Sequence, residues 1–520
     1  MLSKKMLSKK MLFTLGLMAY LPNSYADLPT TQCTGTSVSE LISSCTVTAD
    51  APHANGDNGV KLFMANGYNP AVEADVLQSL NKLMVYVRGY GESLESLANV
   101  SASLAQFNAQ GISILMLAPG AAGQDTIQDN AAALEKTLGM INTYRANSNP
   151  SDMVMVGYSQ GGLVARYALA DLERNGIPHH TSLYVSYDTP HSGIYIPQGM
   201  QNMLPLMNEY VTDITNTANN ASTAMRALGL DASLRAVADG VNTTGQYVLQ
   251  AVDSMTTAYL GTGVYKQLLI DNVYPSSATD RAAFIADMDS VGYPTQTQNI
   301  AVTNGNTQAL PQTQTLTANN SYFSFFGKRG STNTFSFLYY DFYPTAAGTT
   351  NLGANAGTRG TWSYKARCWF FFTCTYNVSA SINIPKSKTS GGGVLALDSV
   401  SGGRKSMLDY YYGAASFLDY AGIFNPATSS VYPLIYTGQN YDLPFPLRRS
   451  NVDSYYSFVP TVSALGLPIT TPDTEVANIV AANATPFDLV ISNGDALQTN
   501  LNHGTVVFTD ELVTKILDAL

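Results

Sequence analysis

Met153-Val154-Met155-Val156-Gly157-Tyr158-Ser159-Gln160-Gly161-Gly162 is the stretch that decides how this chain is read. Four consecutive apolar residues make a short strand that is apolar on both faces, which suits the interior of a parallel sheet. Gly-x-Ser-x-Gly follows at once, and then a helical stretch from Leu163 to Asn175, closed by Gly176. A strand that turns through Gly-x-Ser-x-Gly directly into a helix holds its serine on a sharp bend, hydroxyl above the sheet: a nucleophile elbow. Gly157 and Gly161 let neighbouring backbone pass close, and the helix N-terminus favours negative charge developing beside Ser159. In a chain with 41 glycines a chance Gly-x-Ser-x-Gly is not rare, and an ordinary strand-to-helix turn could contain a serine. The setting between an apolar strand and a helix carries the reading.

Working outward, the same alternation continues on both sides. Met84-Val85-Tyr86-Val87 reads as a strand ending at Arg88-Gly89-Tyr90-Gly91, and a helical stretch follows from Ser93 to Gln110. Ile112 to Leu117 is the next strand, and Asp129 to Arg145 the next helix, with Ala132, Leu134, Leu138 and Ile141 along one face. Ser182 to Tyr187, Gln298 to Thr303 and Asp488 to Ser492 supply further strands, and Asp510 to Leu520 a last helix. Strands separated by helices require right-handed crossovers and a parallel sheet with helices on both faces.

Two stretches break the rhythm. Ile196 to about Asn272 is helix-like and rich in Met, Ala and Asn, with Met200, Met203 and Met207 close together. Ser321 to about Leu397 turns all-β, with runs such as Phe335-Ser336-Phe337-Leu338-Tyr339-Tyr340, and Gly391-Gly392-Gly393 and Gly402-Gly403 read as loop tips. One α/β core with two insertions therefore accounts for 520 residues: a leader at 1–26, core at 27–196, a helical lid-like insertion at 197–280, core at 281–314, a β-rich insertion at 315–450, and core at 451–520.

The leader has its own signature. Lys4, Lys5, Lys9 and Lys10 precede a short apolar stretch from Met11 to Leu21, and Ser24-Tyr25-Ala26 fits a small-x-small cleavage site. About 11 apolar residues fall short of the roughly 20 that span a bilayer. The expectation is an exported protein, secreted, periplasmic or at the cell surface. Cleavage after Ala26 removes four lysines and takes the formal charge from −10 to −14. The four cysteines form two local pairs, Cys33 with Cys45 and Cys368 with Cys374, expected as disulfides in an oxidising compartment. Neither pair has the spacing of a zinc site, and no cofactor or metal is expected. Only 12% of residues are charged, and no basic run occurs beyond the leader, which argues against nucleic-acid binding.

A serine nucleophile needs a base, and five histidines allow elimination. His53 precedes the alternating core, while His179 and His180 lie at the N-terminal edge of the sheet, opposite Ser159. His191 and His503 remain. His503, in Asn502-His503-Gly504 between the last strand and the last helix, stands where the chain returns to the catalytic edge and is expected as general base. The acid is expected at Asp188, where the strand Tyr184-Val185-Ser186-Tyr187 runs out one crossover from Ser159. A turn-capping role is the alternative for Asp188, and Asp495 and Asp453 are the alternative acids. The oxyanion hole calls for two backbone N–H groups: that of Gln160, and one from the turn after the 84–87 strand, Tyr90 or Gly89. Asn66-Gly67-Tyr68-Asn69 is a similar turn one element earlier.

The elbow, the Gly-Tyr-Gly turn, Asp188-Thr189-Pro190-His191-Ser192-Gly193 and the C-terminal Asn-His-Gly together resemble the α/β-hydrolase fold, in its secreted bacterial lipase and esterase branch. The resemblance covers about half the chain. It implies a mostly parallel sheet flanked by helices; the segments 197–280 and 315–450 match nothing in it. The helical one is expected as a lid because it follows the strand carrying Asp188, above the catalytic edge, while the antiparallel β insertion is expected outside the core. Thr-Pro-His-x-Gly is similar to a stretch in bacterial triacylglycerol lipases whose histidine is not the base. Those proteins usually carry Gly at the position of Asp188 and the acid one strand later; an acid on the earlier strand resembles the pancreatic-lipase arrangement. The implied reaction is ester hydrolysis through an acyl-enzyme, with an acyl ester or lipid as substrate and a lipid or membrane interface among the expected partners. The alternatives are a secreted acyltransferase or polyester depolymerase with the same triad, and a non-catalytic binding protein on a hydrolase scaffold.

Overall fold

The computed structural model describes residues 82–90, 106–107, 109–118, 125–145, 152–196, 262–270, 277–310, 400–406 and 455–520, with isolated positions at 201–227 and 272. It also gives the backbone of strands at 31–32, 45–47, 60–64, 320–329, 333–344, 352–369, 372–380 and 386–389. The leader, most of the helical insertion including Met200, Met203 and Met207, and the turn at Asn66 to Asn69 lie outside the described residues, as do all four cysteine side chains.

Among the described residues nine strands form the main sheet: β1 (Thr31–Gln32), β2 (Cys45–Val47), β3 (Val60–Met64), β4 (Leu83–Val87), β5 (Ser113–Ala118), β6 (Met153–Tyr158), β7 (Thr181–Tyr187), β8 (Gln298–Thr303) and β9 (Leu489–Ser492). Their order is β1-β2-β3-β5-β4-β6-β7-β8-β9. From β5 to β9 every neighbouring pair is parallel. β3 runs antiparallel to β5, and β2 antiparallel to β3, an extension that the sequence pattern does not announce.

Alternation along the strands splits the core in two, because successive side chains face opposite sides of a sheet. Leu83, Val85, Val87, Met153 and Met155 pack with helices α1 (Ile127–Arg145), α2 (Gln160–Arg174) and α3 (Ser277–Val291) on one face. Met84, Tyr86, Val154, Val156 and Tyr158 pack on the other, where α4 (Asp510–Asp518) contributes the fully buried Leu512 and Ile516. Thr509 caps α4 by accepting from the Leu512 N–H at 3.3 Å, so the helix starts where its apolar stripe can meet the sheet.

Between β8 and β9 the chain departs from the core. Strands Asn320–Arg329, Asn333–Pro344, Leu352–Trp369 and Phe372–Ala380 pair antiparallel in succession, with Lys386–Thr389 added to the third. Gly402-Gly403, read from sequence as a loop tip, instead opens a strand, Gly402–Ser406, paired antiparallel with Tyr455–Pro460. Space explains the difference: a Cβ on Gly402 would lie 2.1 Å from the Ser457 hydroxyl, so glycine here serves close packing rather than a turn. Among the described residues no helix is long and apolar enough to cross a membrane.

Candidate active site

β6 carries the chain straight into α2, and Ser159 occupies the bend between them. Its backbone sits at φ 54° and ψ −126°, a conformation that L residues rarely adopt. Tight packing imposes it. A Cβ on Gly161 would fall 2.2 Å from the Val87 carbonyl oxygen, so α2 begins in contact with the end of β4. The turn after β4 runs alongside the serine: a Cβ on Gly89 would meet the Ser159 Cβ at 2.9 Å. The backbone N–H of Tyr90 is on that turn, and that of Gln160 opens the helix.

Ser159, His503 and Asp188 meet at the C-terminal edge of the sheet. His503 Nε2 lies 2.8 Å from Ser159 Oγ, and His503 Nδ1 lies 2.7 Å from Asp188 Oδ2. An ionised carboxylate can only accept, so Nδ1 carries the proton and Nε2 presents its lone pair to the serine hydroxyl. All three are buried, Asp188 completely. Asp188 leaves β7 with φ 45°, its N–H donating to the Val302 carbonyl at 2.6 Å, which seats it on β8 as well as β7. The second carboxylate oxygen accepts from the Asn304 N–H at 3.0 Å.

The histidine loop is held from several sides. Tyr158, the residue before the serine, donates its hydroxyl to the His503 carbonyl, and its ring stacks on the imidazole with centroids 5.3 Å apart. The Phe458 ring lies 5.1 Å from the same imidazole. Asn304, at the end of β8, sends its side-chain amide to the carbonyls of Asn502 at 3.1 Å and Thr505 at 2.8 Å. Tyr158, Phe458 and Asn304 escape a reading of sequence. Only the Gly-Tyr-Ser-Gln-Gly motif hinted at one of them, by placing an aromatic beside the serine.

The competing residues lie elsewhere. His191 is buried in the layer under α2, with Nε2 2.7 Å from Ser186 Oγ and Nδ1 3.4 Å from the Arg166 guanidinium. Burial first, and the Arg166 charge second, hold its imidazole well below the usual histidine range, so it is a neutral core residue. His179 lies 3.1 Å from Glu173, and the exposed His180 is 3.9 Å from Asp152, both at the far end of β7. Asp495 accepts from both the N–H and the hydroxyl of Thr307, which engages it away from His503. Asp453 and His53 lie outside the described residues. Among the described residues, no group of three His, Cys, Asp or Glu side chains could hold a metal ion.

Six parallel strands, an antiparallel neighbour outside β5, helices on both faces and a serine elbow after β6 settle the architecture. The chain has the α/β-hydrolase fold. Residues 78–254 of the chain match a family model described as "Putative serine esterase (DUF676)". With the elbow and the hydrogen-bonded serine, histidine and aspartate, that match makes it a serine ester hydrolase. No curated protein matches the chain significantly. Solved structures similar to the hydrolase include Bacillus licheniformis lipase BlEst2 in mature form, 15% identical, covering 46% of this chain and 71% of that one, TM-score 0.24. Est1E from Butyrivibrio proteoclasticus is 16% identical over 28% of this chain and 51% of its own, TM-score 0.19. Thermogutta terrifontis esterase 2 is 15% identical over 26% of this chain and 55% of its own, TM-score 0.21.

Proposed function

We propose that the hydrolase cleaves lipid-like acyl esters outside the cytoplasm through a Ser159-His503-Asp188 triad. The observation that carries the triad is the unbroken hydrogen-bond chain from Asp188 through His503 to Ser159. Ser159 attacks the ester carbonyl while His503 takes its proton, and the same imidazole returns that proton to the leaving alcohol. Asp188 holds the tautomer and stabilises the imidazolium. The N–H groups of Gln160 and Tyr90 receive the oxyanion. Water then attacks the acyl-enzyme with His503 again as base, releasing the acid and restoring the serine.

Substrate class and location rest on the sequence. An insertion at 197–280 follows the strand that carries Asp188 and so falls at the catalytic edge, where a lid favours lipid over a small soluble ester. The spacing of Met200, Met203 and Met207 fits a buried core first; should they face the site, Met suits an acyl chain because it adapts to varied shapes. The leader at 1–26 supports export, and an oxidising destination supports disulfides Cys33–Cys45 and Cys368–Cys374.

Hydrolysis of p-nitrophenyl esters of two to sixteen carbons, with Ser159→Ala in parallel, tests the reading. The expected result is a rate that peaks at long chains and vanishes in the variant. A peak at two to four carbons would replace lipid by small esters. Activity that Ser159→Ala retains would overturn the triad.

A further inference from the structure

The Gly402–Ser406 strand lies across both the acid and the base. A Cβ on Gly403 would stand 2.0 Å from Asp188 Oδ2, the oxygen that faces His503, and 2.8 Å from its Cγ. The carboxylate has no room to retreat: it is fully buried, on a backbone fixed at φ 45°, with its other oxygen on the Asn304 N–H. Gly403 itself does not sit in the left-handed region, so its backbone would accept alanine, and only the space against Asp188 demands glycine. The next residue brackets the base. The Arg404 carbonyl accepts from the His503 N–H at 2.8 Å, and the Arg404 N–H donates to the Leu501 carbonyl at 2.9 Å, making a parallel bridge to Asn502. The partner strand adds Phe458 against the imidazole, and the Lys405 ammonium lies 3.9 Å over that phenyl ring.

We propose that Gly403 and the Arg404 backbone are positioning residues: they set the distance between Asp188 and His503 and the height of the histidine loop above Ser159. This rests on the triad reading. The strand lies within the stretch at 315–450 read from sequence as the β-rich insertion, so a segment with no counterpart in the α/β core's own alternation supplies the third wall of its active site. Glycine at 403 works by absence, since any side chain there would push the carboxylate off the imidazole.

Gly403→Ala tests this, with kcat and KM for p-nitrophenyl butyrate measured in wild-type and Asp188→Asn backgrounds. A misplacement of about 1 Å in catalytic geometry costs on the order of 10²-fold. The expected result is a kcat loss of that order in the wild-type background, KM within about two-fold, and a far smaller loss once Asp188 is already Asn. Gly504→Ala, next to His503 but with open space around its Cβ, should keep the wild-type rate. Equal fold-losses in both backgrounds, or a Gly403→Ala rate within about two-fold of wild type, would overturn the proposal. Should Gly403→Ala fail to fold, Phe458→Leu keeps the partner strand apolar while removing the ring from His503. A lowered kcat at unchanged KM supports the strand's role, and an unchanged kcat overturns it. Ser159→Ala separates the two levels: if it retains activity the triad itself fails, whereas a dead Ser159→Ala beside a fully active Gly403→Ala rejects positioning alone.

Discussion

The ring of Tyr158 lies face to face with the imidazole of His503, planes 24° apart, while its hydroxyl donates to the carbonyl of that same histidine. One side chain therefore fixes both the ring and the backbone of the base, from the residue that precedes the nucleophile. Tyr158→Phe keeps the stacking and removes the hydrogen bond. With one buried hydrogen bond worth about 1 kcal/mol, kcat should fall about five- to tenfold with KM unchanged. Steady-state kinetics on a p-nitrophenyl ester checks this, and an unaltered kcat would show that stacking alone holds the ring.

Asn304 ties the loop of the base to the end of β8. Asn304→Ala strands the carbonyls of Asn502 and Thr505 but leaves the Asn304 N–H on Asp188. The expected outcome is a loss of about 1–3 kcal/mol of stability together with a lowered kcat. Thermal unfolding and kinetics on one preparation would show both, and a variant with unchanged Tm would contradict the bracing role.

His191 should behave oppositely. His191→Ala removes one partner each from Arg166 and Ser186 and opens a cavity in a buried layer, so the Tm should drop. The rate per Ser159 titrated with an organophosphonate should stay within about two-fold of wild type. A collapse of that rate would return His191 to the catalytic machinery.

Stability should depend on pH through Glu135. Burial, and Asp171 after it, push the Glu135 carboxyl up to about 7 from its ordinary 4.5, with Arg174 pulling the other way. Because the folded chain holds a proton that the unfolded chain has released, stability falls as pH rises through that window and levels off above it. Glu135→Gln should match wild type near about pH 4 and exceed it near about pH 8, by on the order of 1 kcal/mol once solvent screening of a partly exposed group is allowed for. Parallel slopes of Tm against pH for the two proteins would refute the assignment.

The meeting of Ser159, Asp188 and His503 is legible in the sequence for a simple reason. Each follows a strand of the parallel sheet, and a parallel sheet puts every strand's C-terminal end on one edge. Asn304 also follows a strand, yet its role depends on a loop some two hundred residues away, which no local pattern reports. Gly403 misleads outright, because a glycine pair reads as a turn when its reason is contact with a distant carboxylate. The strands before β4 are hidden too. β1 and β2 have only two and three residues, and the antiparallel β3 beside β5 breaks the strand-helix rhythm from which the parallel sheet is inferred.

The backbone at Ser159, with φ 54° and ψ −126°, is one that glycine would adopt freely and serine resists. Ser159→Gly should therefore yield a chain that is harder to unfold, by about 1 kcal/mol, and chemically inert. At this one position durability and reactivity point to different amino acids, and the chain holds the reactive one.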